Sequence, residues 1–217
     1  MDKVRKTVKH IRRDFTYDTL DENEAPKNPL DLLHKWLEEA IKAELKEPNA
    51  FVLSTVNNAQ PDSRVVLLRD AREEGLEFFT NYSSKKGQDL THNNLVSINF
   101  FWVELDRQIR IHAKVDRLAS HLSDEYFASR PRASQIGAWA SKQSTVLNNR
   151  DELLNSIKDY KKKYDNKNEV PRPIYWSGWN LSPSSIEFWL DGDSRIHERL
   201  KYIKDEAGNW TKSLLSP

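Results

Sequence analysis

The sequence predicts a mainly β fold, a meander or small barrel with helices at its periphery. Two observations lead there. Between Ala50 and Leu118 the apolar residues fall into short strand-like runs, AFVLSTV, SRVVLLR, LEFFT, LVSINFFWV and RQIRIHAKVDRL, joined by brief polar links. No Gly-x-Gly-x-x-Gly occurs, so a dinucleotide-binding βαβ fold is not expected. Composition sets outer limits. The 217 residues suffice for one large domain with a substantial core. A net charge of +1, from 34 basic and 33 acidic residues, gives no global field for nucleic acid or membrane, so anion binding falls to local patches. The absence of cysteine excludes disulfides, thiolate nucleophiles and Cys-ligated zinc, and suits a reducing compartment. The most apolar run, Leu95 to Val103, is too short to span a bilayer, and MDKVRKTVKHIRRDF lacks a signal-peptide core; the expected location is the cytoplasm.

Residues 1–27 read as a flexible charged arm, with Lys9, His10, Arg12 and Arg13 clustered near Phe15. Asn28-Pro29 is a helix start, an N-cap residue followed by Pro where its missing N–H costs nothing. Leu30, Leu33, Leu37, Ile41 and Leu45 then recur at helical spacing up to Pro48. From Ala50 the period changes to that of strands. Val65–Leu68 and Leu76–Phe79, separated by DAREEG, read as a β-hairpin bracketed by Arg64 and Arg69. A regular pleat puts those two arginines, five apart, on opposite faces unless a bulge realigns them. Ser83 and Ser84 then precede Lys85 and Lys86 at the expected start of a short helix. Hydroxyls, backbone N–H groups and ammonium groups at a helix N-terminus can seat a phosphate, although on this stretch alone an edge hairpin with solvated cations is the better reading.

Further along, RQIRIHAKVDRL alternates strictly, with Gln108, Arg110, His112 and Lys114 on one face and Ile109, Ile111, Ala113 and Val115 on the other. His112 reads as a surface histidine. A helix beginning at Ser123 carries Tyr126 and Arg130 four residues apart before Pro131 breaks it, with Ser134 just beyond. Taken alone, Tyr126 is a half-buried packing residue and Arg130 a surface cation. Residues 148–164 form a Lys-rich amphipathic helix. The last third reads as hairpins, with a turn at Ser182-Pro183 and another at DGDS. If the segment after DGDS is extended, Arg195, His197 and Arg199 share a face and point to an anion among them, while Ile196 and Glu198 point away.

R-V-V-L-L-R at 64–69, F-F-T-N-Y-S-S-K-K at 78–86, RQIRIHAKVDRL, YFASRPRASQIGAWASKQS at 126–144 and IEFWLDGDSRIHER at 186–199 together resemble the pyridoxine (pyridoxamine) 5′-phosphate oxidases over nearly the whole chain. The resemblance implies an FMN-binding antiparallel split β-barrel with peripheral helices, a single domain over 28–217 whose segment 174–217 serves dimerisation and substrate. It implies an oxidase acting on pyridoxine and pyridoxamine 5′-phosphate with dioxygen as acceptor, a homodimer with no nucleic-acid or membrane partner. By the same resemblance, Arg64, Val65, Val66, Leu67, Leu68, Arg69, Phe79, Thr80, Ser84, Lys85 and Lys86 hold FMN, with Gln108, Gln143, Ser144, Trp189 and Arg199. Substrate falls to Arg12, Phe15, Arg69, Tyr126, Arg130, Ser134, Arg195 and His197, of which Arg195 and His197 are the catalytic pair; no metal is implied. Two matches depart from the family pattern, Arg69 standing for the usual Lys and Phe15 for Tyr. Trp189 reads equally as core. Two other functions remain open on these residues, a flavin reductase on the same barrel and a non-enzymatic carrier of B6 phosphates.

Overall fold

Side-chain alternation organises the sheet. In the computed structural model, which describes residues 19–217, strand β6 (Arg107–Arg117) buries Ile109, Ile111, Ala113 and Val115 on one face and exposes Arg110, His112 and Lys114 on the other. The residues expected to form the N-terminal arm's contacts, Arg12 and Phe15, lie outside the described residues. The chain divides into two compact units. Among the described residues no helix is long and apolar enough to cross a membrane.

One unit comprises residues 49–100 and 111–185. Its strands are β1 (Ala50–Asn57), β2 (Gln60–Leu67), β3 (Asp70–Arg72), β4 (Gly75–Asn81) and most of β5 (Leu95–Trp102), followed by most of β6 and the first part of β7 (Trp176–Leu190). They run in the order β2-β1-β5-β6-β7-β4-β3, and β1–β2, β1–β5, β3–β4 and β4–β7 all pair antiparallel. Phe51 packs edge-on against Phe78 at 6.2 Å and lies 5.3 Å from Phe100, which centres the sheet core.

The expected hairpin between Val65–Leu68 and Leu76–Phe79 is not formed. Asn58 (φ 50°) and Ala59 (φ 60°) make a two-residue turn, and from it β2 pairs with β1 along its whole length, up to Ala50 opposite Leu67. So short a loop closes at little entropic cost and takes β2 first. The hairpin partner of β4 is instead the three-residue β3. Between them the chain changes neighbours: Leu68 N donates to Asn49 O (2.8 Å), and Arg69 N donates to Glu77 O (2.8 Å).

The unit's helices are α2 (Lys85–His92), α3 (Ser120–Ser129), α4 (Arg132–Ala140) and α5 (Arg150–Tyr164). Ser84 caps α2, its Oγ accepting from Gly87 N (3.3 Å), as Asn149 caps α5. Helix α3 starts three residues before the expected Ser123. Ser123 is buried within it, and its Oγ accepts from Ser177 Oγ (2.6 Å) and Gly178 N (3.1 Å), a bond to β7 that capping would have precluded. Phe127, Ile136, Tyr164, Val170 and Trp176 close a second apolar cluster.

The other unit comprises residues 19–48, 101–110 and 186–217. Helix α1 (Pro29–Lys42) begins where expected, Asn28 Oδ1 accepting from Leu30 N at 3.1 Å. Its buried stripe is rotated from the expected one: Leu30, Leu32, Leu33, Trp36 and Ala40 are buried, whereas Ile41 is 62% exposed. Trp36 decides the rotation. Its ring meets Phe188 edge-on at 5.2 Å and carries the Arg107 guanidinium on its face at 4.5 Å, more contact than Ile41 offers. β8 (Glu198–Lys204) pairs with β7 and with β9 (Trp210–Leu214), and Tyr202, buried, donates to Pro26 O at 2.8 Å.

Two expected turns differ. β7 runs unbroken through Ser182-Pro183, because its pairing with β4 has ended at Leu181 and no β4 carbonyl faces the missing N–H. The DGDS turn is longer than expected. Asp193–Arg195 forms a 3₁₀ turn closed by Ile196 N donating to Asp193 O (2.9 Å), with Ser194 (φ 54°) and Arg195 (φ 65°) left-handed. Residues 195–197 are therefore not extended, and the common face for Arg195, His197 and Arg199 does not exist.

Candidate active site

Three strands and two helices converge on one cavity of about 460 Å³ in the unit of residues 49–100 and 111–185. β2 contributes Arg64, Val65, Val66 and Leu67; the switch after it contributes Arg69; β4 contributes Phe79, Thr80 and Asn81. Lys86 enters from α2, Tyr126 and Arg130 from α3 and its cap, Gln143 from the link after α4, and Trp176 from the start of β7. The partner switch at Leu68–Arg69 resolves the pleat problem, since Arg64 and Arg69 both line the cavity although five apart. Among the described residues four cations line it and no carboxylate does.

The first pair is Lys86 and Arg64. Lys86 is buried, and among the described residues its Nζ donates only to hydroxyls, Thr80 Oγ1 and Ser84 Oγ, each at 3.4 Å. Burial, and then the Arg64 charge, push its pKa below the ordinary lysine value. Arg64 is held more firmly: Nη1 donates to Leu53 O (3.1 Å) and Thr55 Oγ1 (2.9 Å), and Nη2 lies 2.8 Å from Asp62. Behind it the buried Asp89 accepts from Thr55 Oγ1 and Asn57 Nδ2, each at 3.0 Å, and pairs with Lys85 at 3.2 Å. Burial raises the Asp89 pKa, but the donors Asn57, Lys85 and Thr55 outweigh it and leave it below the ordinary value. Lys85, expected at a phosphate, is instead exposed and paired with Asp62 (3.3 Å) and Asp89.

The second pair is Arg130 and Arg69. Arg130 caps α3 and makes no ion pair among the described residues; its buried Nη1 has no hydrogen-bond partner. Burial is the main cause holding its pKa below the ordinary arginine value, and the charge of Arg69 adds to it. Between the cations stand stacked rings. Phe79 lies 4.1 Å from Tyr126 at 23° and 5.6 Å from Trp176 at 12°, with Arg69 over Tyr126 at 5.8 Å and Arg130 over Trp176 at 4.5 Å.

Other expected residues stand elsewhere. Leu68 is buried beside the partner switch, Ser84 serves as the α2 cap, half-buried Ser134 lies in α4, and Ser144 (φ 70°) is exposed in the link after α4. Gln108, Trp189, Arg195, His197 and Arg199 belong to the unit of residues 19–48, 101–110 and 186–217. There the Trp189 and His197 rings lie 4.7 Å apart, tilted by 38°, and His197 Nδ1 lies 2.8 Å from Asp191 Oδ1. Arg199 is clamped on the buried Glu187, through Nε at 2.9 Å and Nη2 at 2.8 Å, and donates to Ser216 O at 2.8 Å. Arg195 is exposed. Asn81 and Trp176 line the cavity without having been singled out; the aromatic density of YWSGW was the available signal for Trp176.

An antiparallel α+β fold with a cation-lined, ring-walled cavity places the protein among the split-barrel proteins. A family model described as "Pyridoxamine 5′-phosphate oxidase" matches residues 37–164, and one described as "Pyridoxine 5′-phosphate oxidase C-terminal dimerisation region" matches residues 176–217. The chain belongs to the pyridoxamine 5′-phosphate oxidase family. The pyridoxine/pyridoxamine 5′-phosphate oxidase of Pelagibacter ubique is 59% identical over 191 residues, covering 88% of this chain and 92% of that one. Its namesake from Mannheimia succiniciproducens is 46% identical over 209 residues, 96% of this chain and 98% of that one. Among solved structures, PhzG from Burkholderia lata, in complex with tetrahydrophenazine-1-carboxylic acid, superposes with a TM-score of 0.86 at 30% identity, covering 92% of this chain and 98% of that one. A pyridoxamine 5′-phosphate oxidase-related, FMN-binding protein from Nostoc punctiforme shares the fold with a TM-score of 0.70 at 14% identity, over 89% of this chain and 100% of that one.

Proposed function

We propose that the protein is an FMN-dependent oxidase that converts pyridoxine 5′-phosphate and pyridoxamine 5′-phosphate to pyridoxal 5′-phosphate, with dioxygen as acceptor and hydrogen peroxide as product. The observation that carries this reading is the cavity's charge pattern. Two cation pairs, Lys86 with Arg64 and Arg130 with Arg69, share one cavity without a lining carboxylate among the described residues, so it suits two phosphate groups rather than one. The names of relatives at 46–59% identity over nearly their full length supply the substrate class.

The residues present fit FMN. Lys86, a buried ammonium with only hydroxyl partners, and Arg64, fixed by Asp62 and Thr55, would hold its phosphate, with Thr80 and Gln143 beside them. Bound there, FMN supplies the hydride acceptor and the route for electrons to dioxygen. Arg130 and Arg69 would hold the substrate phosphate, and Tyr126 would place its phenol at the same anion. Phosphate anchoring at one end fixes where the other end of a small ring lies, which is the orientation the reaction needs. Phe79, Tyr126 and Trp176 line the cavity with apolar faces that exclude water. Gln108, Ser144, Trp189, Arg195, His197 and Arg199 are proposed as further ligand contacts, with His197 fixed by Asp191 as a positioner, and the active form as a homodimer.

The test is the absorbance of the purified protein before and after anaerobic addition of pyridoxamine 5′-phosphate. A yellow protein that bleaches supports the oxidase. A colourless protein that binds the B6 phosphate would make it a carrier, and a yellow one that bleaches only with a nicotinamide donor would make it a reductase.

A further inference from the structure

We infer that Trp176 is a positioning residue: its indole face holds the Arg130 guanidinium in the cavity without neutralising it, and so sets the preference for phosphorylated ligands. This rests on the reading of the cavity as a phosphate site. Arg132 is held by the Tyr164 and Lys167 carbonyls and Arg117 lies over the Tyr82 ring, while several other arginines are fixed by carboxylates, Arg64 by Asp62 (2.8 Å), Arg172 by Asp124 (2.7 Å) and Arg199 by Glu187 (2.8 Å). Arg130 is not. Its Cζ lies 4.5 Å from the Trp176 ring centroid and 5.5 Å from that of Phe127, and its buried Nη1 is without a partner among the described residues. A carboxylate would fix the guanidinium as Asp62 fixes Arg64, but would occupy some of its N–H donors and offset part of its charge. An aromatic face orients the cation and leaves its edge N–H donors free.

The platform is itself rigid. Phe79 stacks on Trp176, and Phe127 meets it edge-on at 5.0 Å. Its carbonyl accepts from Arg172 Nη1 (2.7 Å), its N–H donates to Pro173 O (3.0 Å), and it pairs with Asn81 of β4. Arg130 precedes Pro131 and leaves α3 extended at φ −72°, ψ 148°, which fixes the direction from which its side chain starts.

The experiment is a double-mutant cycle on the FMN-loaded protein, read by equilibrium binding of 4-deoxypyridoxine 5′-phosphate and of 4-deoxypyridoxine, which cannot be oxidised at the missing C4′ oxygen. Trp176→Leu should weaken the phosphorylated ligand roughly three- to thirty-fold, the span of a cation–π contact, and leave the unphosphorylated one unchanged. Trp176→Phe should be intermediate. In an Arg130→Ala background Trp176→Leu should add almost nothing, because its effect runs through Arg130. Equal losses for both ligands, or additive losses with Arg130→Ala, overturn the inference. Should Trp176→Leu fail to fold, Trp176→Phe is judged by the same two criteria. A wild type that binds both ligands equally would sink the phosphate reading itself, whereas a phosphate preference that Trp176→Leu leaves intact sinks only the role of Trp176.

Discussion

Lys85 and Lys86 are neighbours in sequence and opposites in structure. Lys85 satisfies its charge on Asp62 and Asp89 in solvent, while Lys86 carries its charge into the cavity with only Thr80 and Ser84 beside it. An unpaired buried ammonium destabilises the free protein and is repaid by an anion. Lys86→Met should therefore weaken FMN retention by about 1.5–3 kcal/mol, the scale of a charge-assisted hydrogen bond, while the FMN-free protein melts no lower than wild type. Lys85→Met should leave FMN affinity near wild type. FMN titration with urea melts of the apo forms checks both, and equal losses for the two variants would refute the assignment. The K-K pair was legible in the sequence as a cationic spot. Which lysine faces inward was not, because that depends on the rotation of α2 against β1, and the sequence carries no local signal of it. For Arg130 the resemblance supplied a substrate role, whereas its own sequence position reads as a solvated helix-end cation, because the Trp176 ring that half-covers it lies far off in sequence.

At the scale of elements, β6 was readable because alternation is local, and the α1 start because capping is local. β2 was not, since its choice between β1 and β4 depends on which turn closes first. Asp89 shows what joins α2 to β1. Its carboxyl titrates below the ordinary aspartate value in the folded protein, so the stability it lends is present above that ordinary value and drains as pH falls through the folded one. Asp89→Asn should flatten the acid limb of a urea-midpoint against pH plot below that point, and an unchanged slope would show that the carboxylate does not link the two elements. The turn before β8 makes a second case. A Cβ on Gly192 would lie 1.9 Å from Ile196 O, so Gly192→Ala should cost about 2 kcal/mol or more. Glu198 accepts from Leu20 N–H, so Glu198→Ala should cost about 1–2 kcal/mol while the exposed Arg195→Ala costs nearly nothing. Thermal melts of the three variants decide, and a destabilising Arg195→Ala beside a neutral Glu198→Ala would contradict the turn.

For the whole molecule the question is what covers the link between α4 and α5. Gln143 and Ser144, both proposed at the cofactor, are exposed there, followed by Val146 at 97% and Leu147 at 43% exposure. An isolated exposed aliphatic is ordinary; two adjacent ones beside residues proposed at the cofactor give a place where a covering chain is proposed. Residues 176–217 match a dimerisation region, which makes a second copy the proposed occupant. If so, cofactor retention and dimerisation are linked by mass action, each stabilising the other. Val146→Asp places a charge where an apolar contact is expected and should shift the protein toward monomer, with FMN lost in step and regained as protein concentration rises. Sedimentation equilibrium and flavin content, measured on the same dilution series of wild type and variant, test the linkage directly. A monomer that keeps FMN at wild-type affinity would show that the cofactor site is complete in one chain, and a Val146→Asp dimer with full FMN would put the interface on another face.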